Sequence, residues 1–260
     1  MKKFLCLAAA AAMFCGCNSI KNPPVPAAGS CPITVTRINQ PIKLDGRLDE
    51  KVWTKVPKYK LEFANEIGAW PQAEQDRYLQ DKYESATVSF LYDDKYLYVG
   101  AELEDDDVIS FANRNQDLLY RGADTLEIFL APANGTHYWE LYSTPSIYRT
   151  SFCFPAGGML GLQEVFSKSM LMPGYETAFT VNGKLNDHKV KDKGWTTELR
   201  IPLSEIAKKG VKFAPGEKWS ILAARYNYSH YMYRRQTSSF PALPAVNFHM
   251  RQYYAPVIFR

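Results

Sequence analysis

Along most of the chain apolar and polar residues alternate with period two. Ala86, Val88, Phe90 and Tyr92 are interleaved with Thr87, Ser89 and Leu91, the pattern of a strand with one face turned to a core. Asp93-Asp94 marks a turn, and residues 96–103 read as the returning strand. Residues 125–131, 137–144, 147–154, 195–201, 219–228 and 253–259 repeat the pattern. Helical periodicity shows only in two short pieces, residues 49–55 and 204–208. Many short strands with few helices predict an all-β domain: an antiparallel β-sandwich of jelly-roll or immunoglobulin-like type with one or two short helices.

One hairpin can be taken to the level of register. Asn134-Gly135 is a turn signal between two alternating runs. Pairing Leu130 with Trp139 sets Ile128 opposite Leu141 on one apolar face. The other face then carries Glu127 opposite Tyr142 and Phe129 opposite Glu140. A face that mixes carboxylates with rings is either a solvated outer surface or a ligand platform, and on this hairpin alone the solvated surface is favoured.

The N-terminus changes the picture of where the domain works. Lys2 and Lys3 precede a short apolar run, residues 4–14, and then Gly16 and Cys17. This is the layout of a secretory signal, too short to span a membrane. A cysteine directly after the small residue resembles a bacterial lipobox, so residues 1–16 are expected to be a signal peptide and Cys17 the lipidation site. Pro23, Pro24, Pro26, Gly29 and Pro32 make residues 17–32 a semi-extended, lipid-anchored tether, followed by one domain over 33–260. The expected location is the bacterial cell envelope, periplasmic or outer-membrane. Cys31 and Cys153 could pair in an oxidising compartment or remain free thiols.

Composition narrows the function classes. The 260 residues are 46% hydrophobic and 14% aromatic, an ordinary globular balance with an excess of rings. A formal charge of +4, evenly spread, does not make a nucleic-acid footprint.

Five motifs in order then resemble family 9 carbohydrate-binding modules. They are Ile42-Lys43-Leu44-Asp45-Gly46 with Leu48-Asp49-Glu50 and Trp53, and residues 91–99; then residues 122–130, Gly194-Trp195 through Ile201-Pro202, and Pro215-Gly216 through Trp219 with Arg225 and Phe248-His249. The resemblance implies a sandwich that binds oligo- or polysaccharide, is often stabilised by calcium, and works beside glycan-degrading enzymes. Pyranose faces would pack on aromatic rings while hydroxyls take hydrogen bonds from charged and amide groups. Carried over by position, Glu127 matches the family's sugar-binding glutamate. Arg121, with Tyr120 beside it, stands where the first sugar-stacking tryptophan belongs, and the second falls near Phe240. Arg149 is the candidate sugar-binding arginine, and Arg225 matches an arginine that could be structural. With Tyr142 on the mixed hairpin face, these seven residues form the expected carbohydrate site.

Other constellations stay in view. Glu102, Glu104, Asp105, Asp106 and Asp107 could supply calcium oxygens or be a solvated strand end. Glu127, Glu140 and Glu198 could pair as glycosidase carboxylates, with nothing to place two of them across a cleft. The tyrosines of 226–233, followed by Arg234-Arg235, read as a glycan-lining loop or as edge packing; Trp70 reads as a loop platform or an anchor. His249 and Met250 could be named as haem ligands, although Cys-x-x-Cys-His is missing, and an accessory scaffold without a small ligand is the third class.

Overall fold

A computed structural model describes residues 32–63, 70–157 and 169–260, together with Leu162 and Val165. The expected leader, Cys17, Cys31 and all of the tether except Pro32 lie outside the described residues. Among the described residues there are thirteen strands: β1 (Ile33–Arg37), β2 (Tyr59–Lys60), β3 (Glu62–Phe63), β4 (Ala86–Tyr92), β5 (Tyr96–Leu103), β6 (Thr125–Pro132), β7 (Tyr138–Ser143), β8 (Thr150–Phe154), β9 (Glu176–Asn182), β10 (Gly194–Pro202), β11 (Trp219–Asn227), β12 (Gln236–Phe240) and β13 (Ala255–Phe259). They form one curled sheet in the order β8-β7-β6-β11-β13-β1-β4-β5-β10-β9, with β12 attached to β11, β3 to β12 and β2 to β4.

The sheet is mixed, which corrects the expectation of purely antiparallel pairing. β1 runs parallel to both neighbours, with Ile33 opposite Val257 on β13 and Thr36 opposite Leu91 on β4. Its partners come from remote parts of the chain, so no tight turn constrains direction. β1 and β13 join the two halves, which fold face to face. One core contains Phe90, Val99 and Leu199 from one half and Ile128, Leu141 and Ile221 from the other. Trp53, Trp139, Trp195 and Trp219 are all buried, as expected of structural rings.

The helices differ in detail from expectation. The first forecast piece shortens to a 3-10 turn, Trp53–Lys55, and the chain is extended at Val56. Val56 precedes Pro57, whose ring disfavours the α conformation in the residue before it. α1 (Gln72–Tyr78) follows Pro71 in what read as a polar loop; it buries only Tyr78 and so carries no apolar stripe to predict it. α2 (Leu203–Ala207) falls where forecast, after Pro202.

The half built on β6, β7, β8 and β11 is buried on both faces, which a simple two-layer sandwich does not require. Its second face carries Phe129, Tyr138, Tyr142, Phe152 and Leu222, roofed by Leu118 and Leu119 from one segment and Leu243, Phe248 and Tyr254 from another. The face that the hairpin alone favoured as solvated is therefore a second core. Hydrophobic cover supplied by remote segments decides this, and no local pattern encodes it.

Candidate functional site

The β6–β7 hairpin has the expected register: Leu130 opposes Trp139, Ile128 opposes Leu141, and Glu127 opposes Tyr142. Glu127 and Glu140 are thus diagonal neighbours on the roofed face. Both are 1% exposed. The Tyr142 hydroxyl donates to Glu140 Oε1 at 2.5 Å, whereas Glu127 Oε1 and Glu140 Oε2 have no hydrogen-bond partner. Burial raises both carboxyls, and for Glu127 the nearby Glu140 adds to the shift. The pair favours holding a proton rather than two charges.

Tyrosines close the space above the pair. Tyr120 stacks on Tyr226 with centroids 5.0 Å apart and meets Tyr142 edge-on at 6.2 Å. Tyr228 pins this arrangement, its hydroxyl donating to the Tyr120 carbonyl at 2.5 Å. Tyr120 lies in a 3-10 turn, Leu119–Arg121, and Arg121 emerges exposed from its end. The Arg121 guanidinium carbon is 6.0 Å from the Tyr120 centroid. Arg121 also borders a cavity of about 290 Å³ with Phe111, Asn113, Asp117, Leu118 and Gly122.

Of the seven expected site residues, the structure brings together Tyr120, Arg121, Glu127 and Tyr142, and does not bring Arg149, Arg225 or Phe240 to them. Arg149 donates from Nε to the Tyr175 carbonyl at 2.7 Å and borders a different cavity with Lys43, Glu176 and Arg200. Phe240 pairs with Ala223, so it points to the main core, where its ring lies 4.9 Å from Tyr59. Arg225 pairs with Leu126 and also faces inward. Its guanidinium donates to the Glu84 carbonyl at 3.1 Å, the Glu104 carbonyl at 2.6 Å, Asp105 at 3.1 Å and Asn227 at 2.6 Å. Strand parity separates these side chains from Glu127 by the thickness of the sheet. Sequence reading did not single out Phe111, Asn113 or Asp117, which line this cavity. The available signal was one phenylalanine opening a mostly polar stretch, residues 111–117.

The remaining constellations resolve mostly into scaffold. In the acidic run, Asp105 accepts the Asp107 amide and Asp107 accepts the His230 amide and ring; Glu84 accepts the Asp106 amide. Asp107 Oδ1, by contrast, is buried without a hydrogen-bond partner, and among the described residues no three His, Cys, Asp or Glu side chains are placed to hold a metal. Glu198 accepts the Asp45 and Gly46 amides and the Trp53 indole, at 2.9, 2.8 and 3.2 Å, far along the fold from the Glu127–Glu140 pair. His249 is packed inside with Nδ1 2.7 Å from the Tyr138 hydroxyl, and burial pushes its pKa down to about 4. The tyrosine-rich stretch divides: Tyr226 joins the second core, while Tyr231 is 41% exposed beneath Lys191. Trp70 lies edge-on to Tyr78 at 5.2 Å, with Arg234 over its ring. Cys153 is half-buried on β8.

A curled sheet whose two halves pack face to face, with a small cavity of mixed lining beside its tyrosine-covered face, has the form of a β-sandwich. The family described as carbohydrate family 9 binding domain-like matches residues 44–249, and the chain belongs to it. Its domains are non-catalytic binding modules. Among solved structures, a candidate carbohydrate-binding protein from Bacteroides uniformis aligns with TM-score 0.62 at 13% identity, covering 88% of this chain and 98% of that one. A family 9 carbohydrate-binding module from Caldicellulosiruptor kristjanssonii in complex with cellotriose aligns with TM-score 0.54 at 18% identity, covering 88% and 94%. The module from the same organism in complex with glucose gives 0.52 at 17%, covering 88% and 96%. At these identities the likeness is one of fold. No curated protein matches the chain.

Proposed function

We propose that this is a non-catalytic saccharide-binding protein, held at a bacterial cell envelope by a lipid on Cys17, which captures oligo- or polysaccharide for glycan-degrading enzymes. The family match over residues 44–249 carries the saccharide reading. The Caldicellulosiruptor kristjanssonii modules bound to cellotriose and glucose support it. The lipid anchor rests on the basic start, short apolar run and Gly16-Cys17. A binding role also agrees with the sealed state of the Glu127–Glu140 pair, since water and a glycosidic bond must both reach glycosidase carboxylates. In this reading Glu127, Glu140 and Tyr142 are scaffold beneath the binding end, and the exposed residues there make contact. Arg149, Arg225 and Phe240 take no part, because their side chains are engaged elsewhere.

One preparation tests this. The full chain expressed in a bacterial host is expected in the membrane fraction, and Cys17→Ser is expected in the soluble fraction. The soluble protein on an array of neutral and uronic-acid oligosaccharides is expected to retain a subset of them. Retention of none, with the protein folded, would leave an accessory scaffold in place of a sugar binder.

A further inference from the structure

We propose that the cavity between Phe111 and Arg121 is the saccharide subsite, and that one pyranose ring stacks on the Phe111 ring rather than reaching Glu127. This rests on the saccharide-binding reading above and assigns it a place.

Access is the first argument. Glu127 is 1% exposed beneath Tyr120 and Tyr226, whereas Phe111 is 67% exposed. An aromatic ring left in water at the rim of a cavity is the surface on which the apolar face of a sugar packs. The cavity, about 290 Å³, is at the small end of ligand sites and suits one sugar ring better than an extended chain.

Chemistry is the second. Around the ring stand a guanidinium (Arg121), a carboxamide (Asn113) and a carboxylate (Asp117), which between them donate to and accept from vicinal hydroxyls. The Arg114 guanidinium, 2.7 Å from Asp117 Oδ2, holds the Asp117 carboxyl below its ordinary range, so it stays an acceptor at neutral pH. The Leu118 amide fixes its other oxygen at 2.9 Å.

Preorganisation is the third. The Phe111 amide donates to the Gly122 carbonyl at 2.9 Å, tying one wall of the cavity to the other. One step further in, the Ile109 amide donates to Asp124 Oδ2 at 2.6 Å and the Asp124 amide to the Ile109 carbonyl at 2.8 Å. Asn186 clasps Ser110 through both its amide and its carbonyl, at 2.8 and 2.9 Å. The ring is thus presented on fixed backbone, which lowers the ordering cost of binding. A larger cavity of about 590 Å³ on the opposite half, bordered by Arg47, Glu102 and Thr196, offers no comparable exposed ring; its Trp195 is 2% exposed.

The test is isothermal titration of the purified protein with cellotriose and with the strongest oligosaccharide from the array. Phe111→Ala and Arg121→Ala are each expected to weaken binding by ~10-fold or more. Phe111→Trp should preserve it, and Glu127→Gln should leave it within ~2-fold. Phe111 and Arg121 are exposed, so these variants are expected to fold, and their circular dichroism and thermal melts are checked alongside. Loss of binding in Glu127→Gln with Phe111→Ala and Arg121→Ala unchanged would overturn the subsite while sparing the saccharide reading. No binding by the wild-type protein to any sugar would overturn both.

Discussion

Glu127, which the resemblance offered as a sugar ligand, is buried at 1% exposure. Its carboxyl and that of Glu140 are buried together and raised, so the folded state keeps protons that the unfolded chain, titrating near pH ~4.3, has already released. The sign follows: this pair contributes stability below the ordinary carboxyl range and loses it as pH climbs through neutrality. Glu127→Gln removes one titrating group and supplies a donor beside the unpartnered Glu140 oxygen. The variant is expected to melt ~2–4 °C above wild type at pH 8 and close to it at pH 4, following a gain of ~1 kcal/mol or more. Thermal melts across pH 4–9 check this; a difference independent of pH would contradict the shared-proton account. The register that brings the two glutamates together was legible, because period two and Asn134-Gly135 admit one apolar pairing. Their burial was not, since the roof comes from residues 118–119 and 243–254.

At the scale of elements, the segment around Gly46 is locked onto the sheet by a close backbone approach. Gly46 has φ +79°, and a Cβ there would lie 2.5 Å from the Phe179 backbone on β9. Gly210, just past α2, has φ +88° but open space around it. Both glycines satisfy a left-handed turn, yet only Gly46 also needs the missing side chain. Gly46→Ala is therefore expected to cost ~3 kcal/mol or more and Gly210→Ala ~1 kcal/mol, read from urea midpoints. Equal losses would show that φ alone matters. The turn at Asp45-Gly46 was readable from the sequence. What it packs against was not, because β9 lies about 130 residues further on and its own pattern did not announce a strand. α1 was likewise illegible, as a helix burying one residue leaves no periodicity.

Across the whole molecule, Arg225 clamps the two halves of the curled sheet. It projects from β11 to the Glu84 and Glu104 carbonyls, which flank β4 and β5, and to the buried Asp105. Burial raises the Asp105 carboxyl while Arg225 opposes the shift. Arg225→Met would remove the cationic partner of the buried Asp105 carboxyl and a donor to two carbonyls, at a cost of ~3–5 kcal/mol. Urea denaturation with an unchanged m-value is the check, and a loss under ~1 kcal/mol would contradict the clamp. The same contacts engage a side chain that the resemblance offered as a site arginine. It stands on the inner face of β11, one position from Tyr226 and Ala224 on the outer face.

The sequence by itself determined the β-rich class, the 127–130 and 139–142 register and the family. All of these are written in local periodicity or in short ordered motifs. Tertiary structure decided the parallel joining of β1 to β13 and β4, the sealing of Glu127, and the exposure of Phe111 beside Arg121. Each of those depends on segments remote in sequence meeting in space. Alternation states which side of a strand a residue takes, but what covers that side is fixed only when the whole chain has closed.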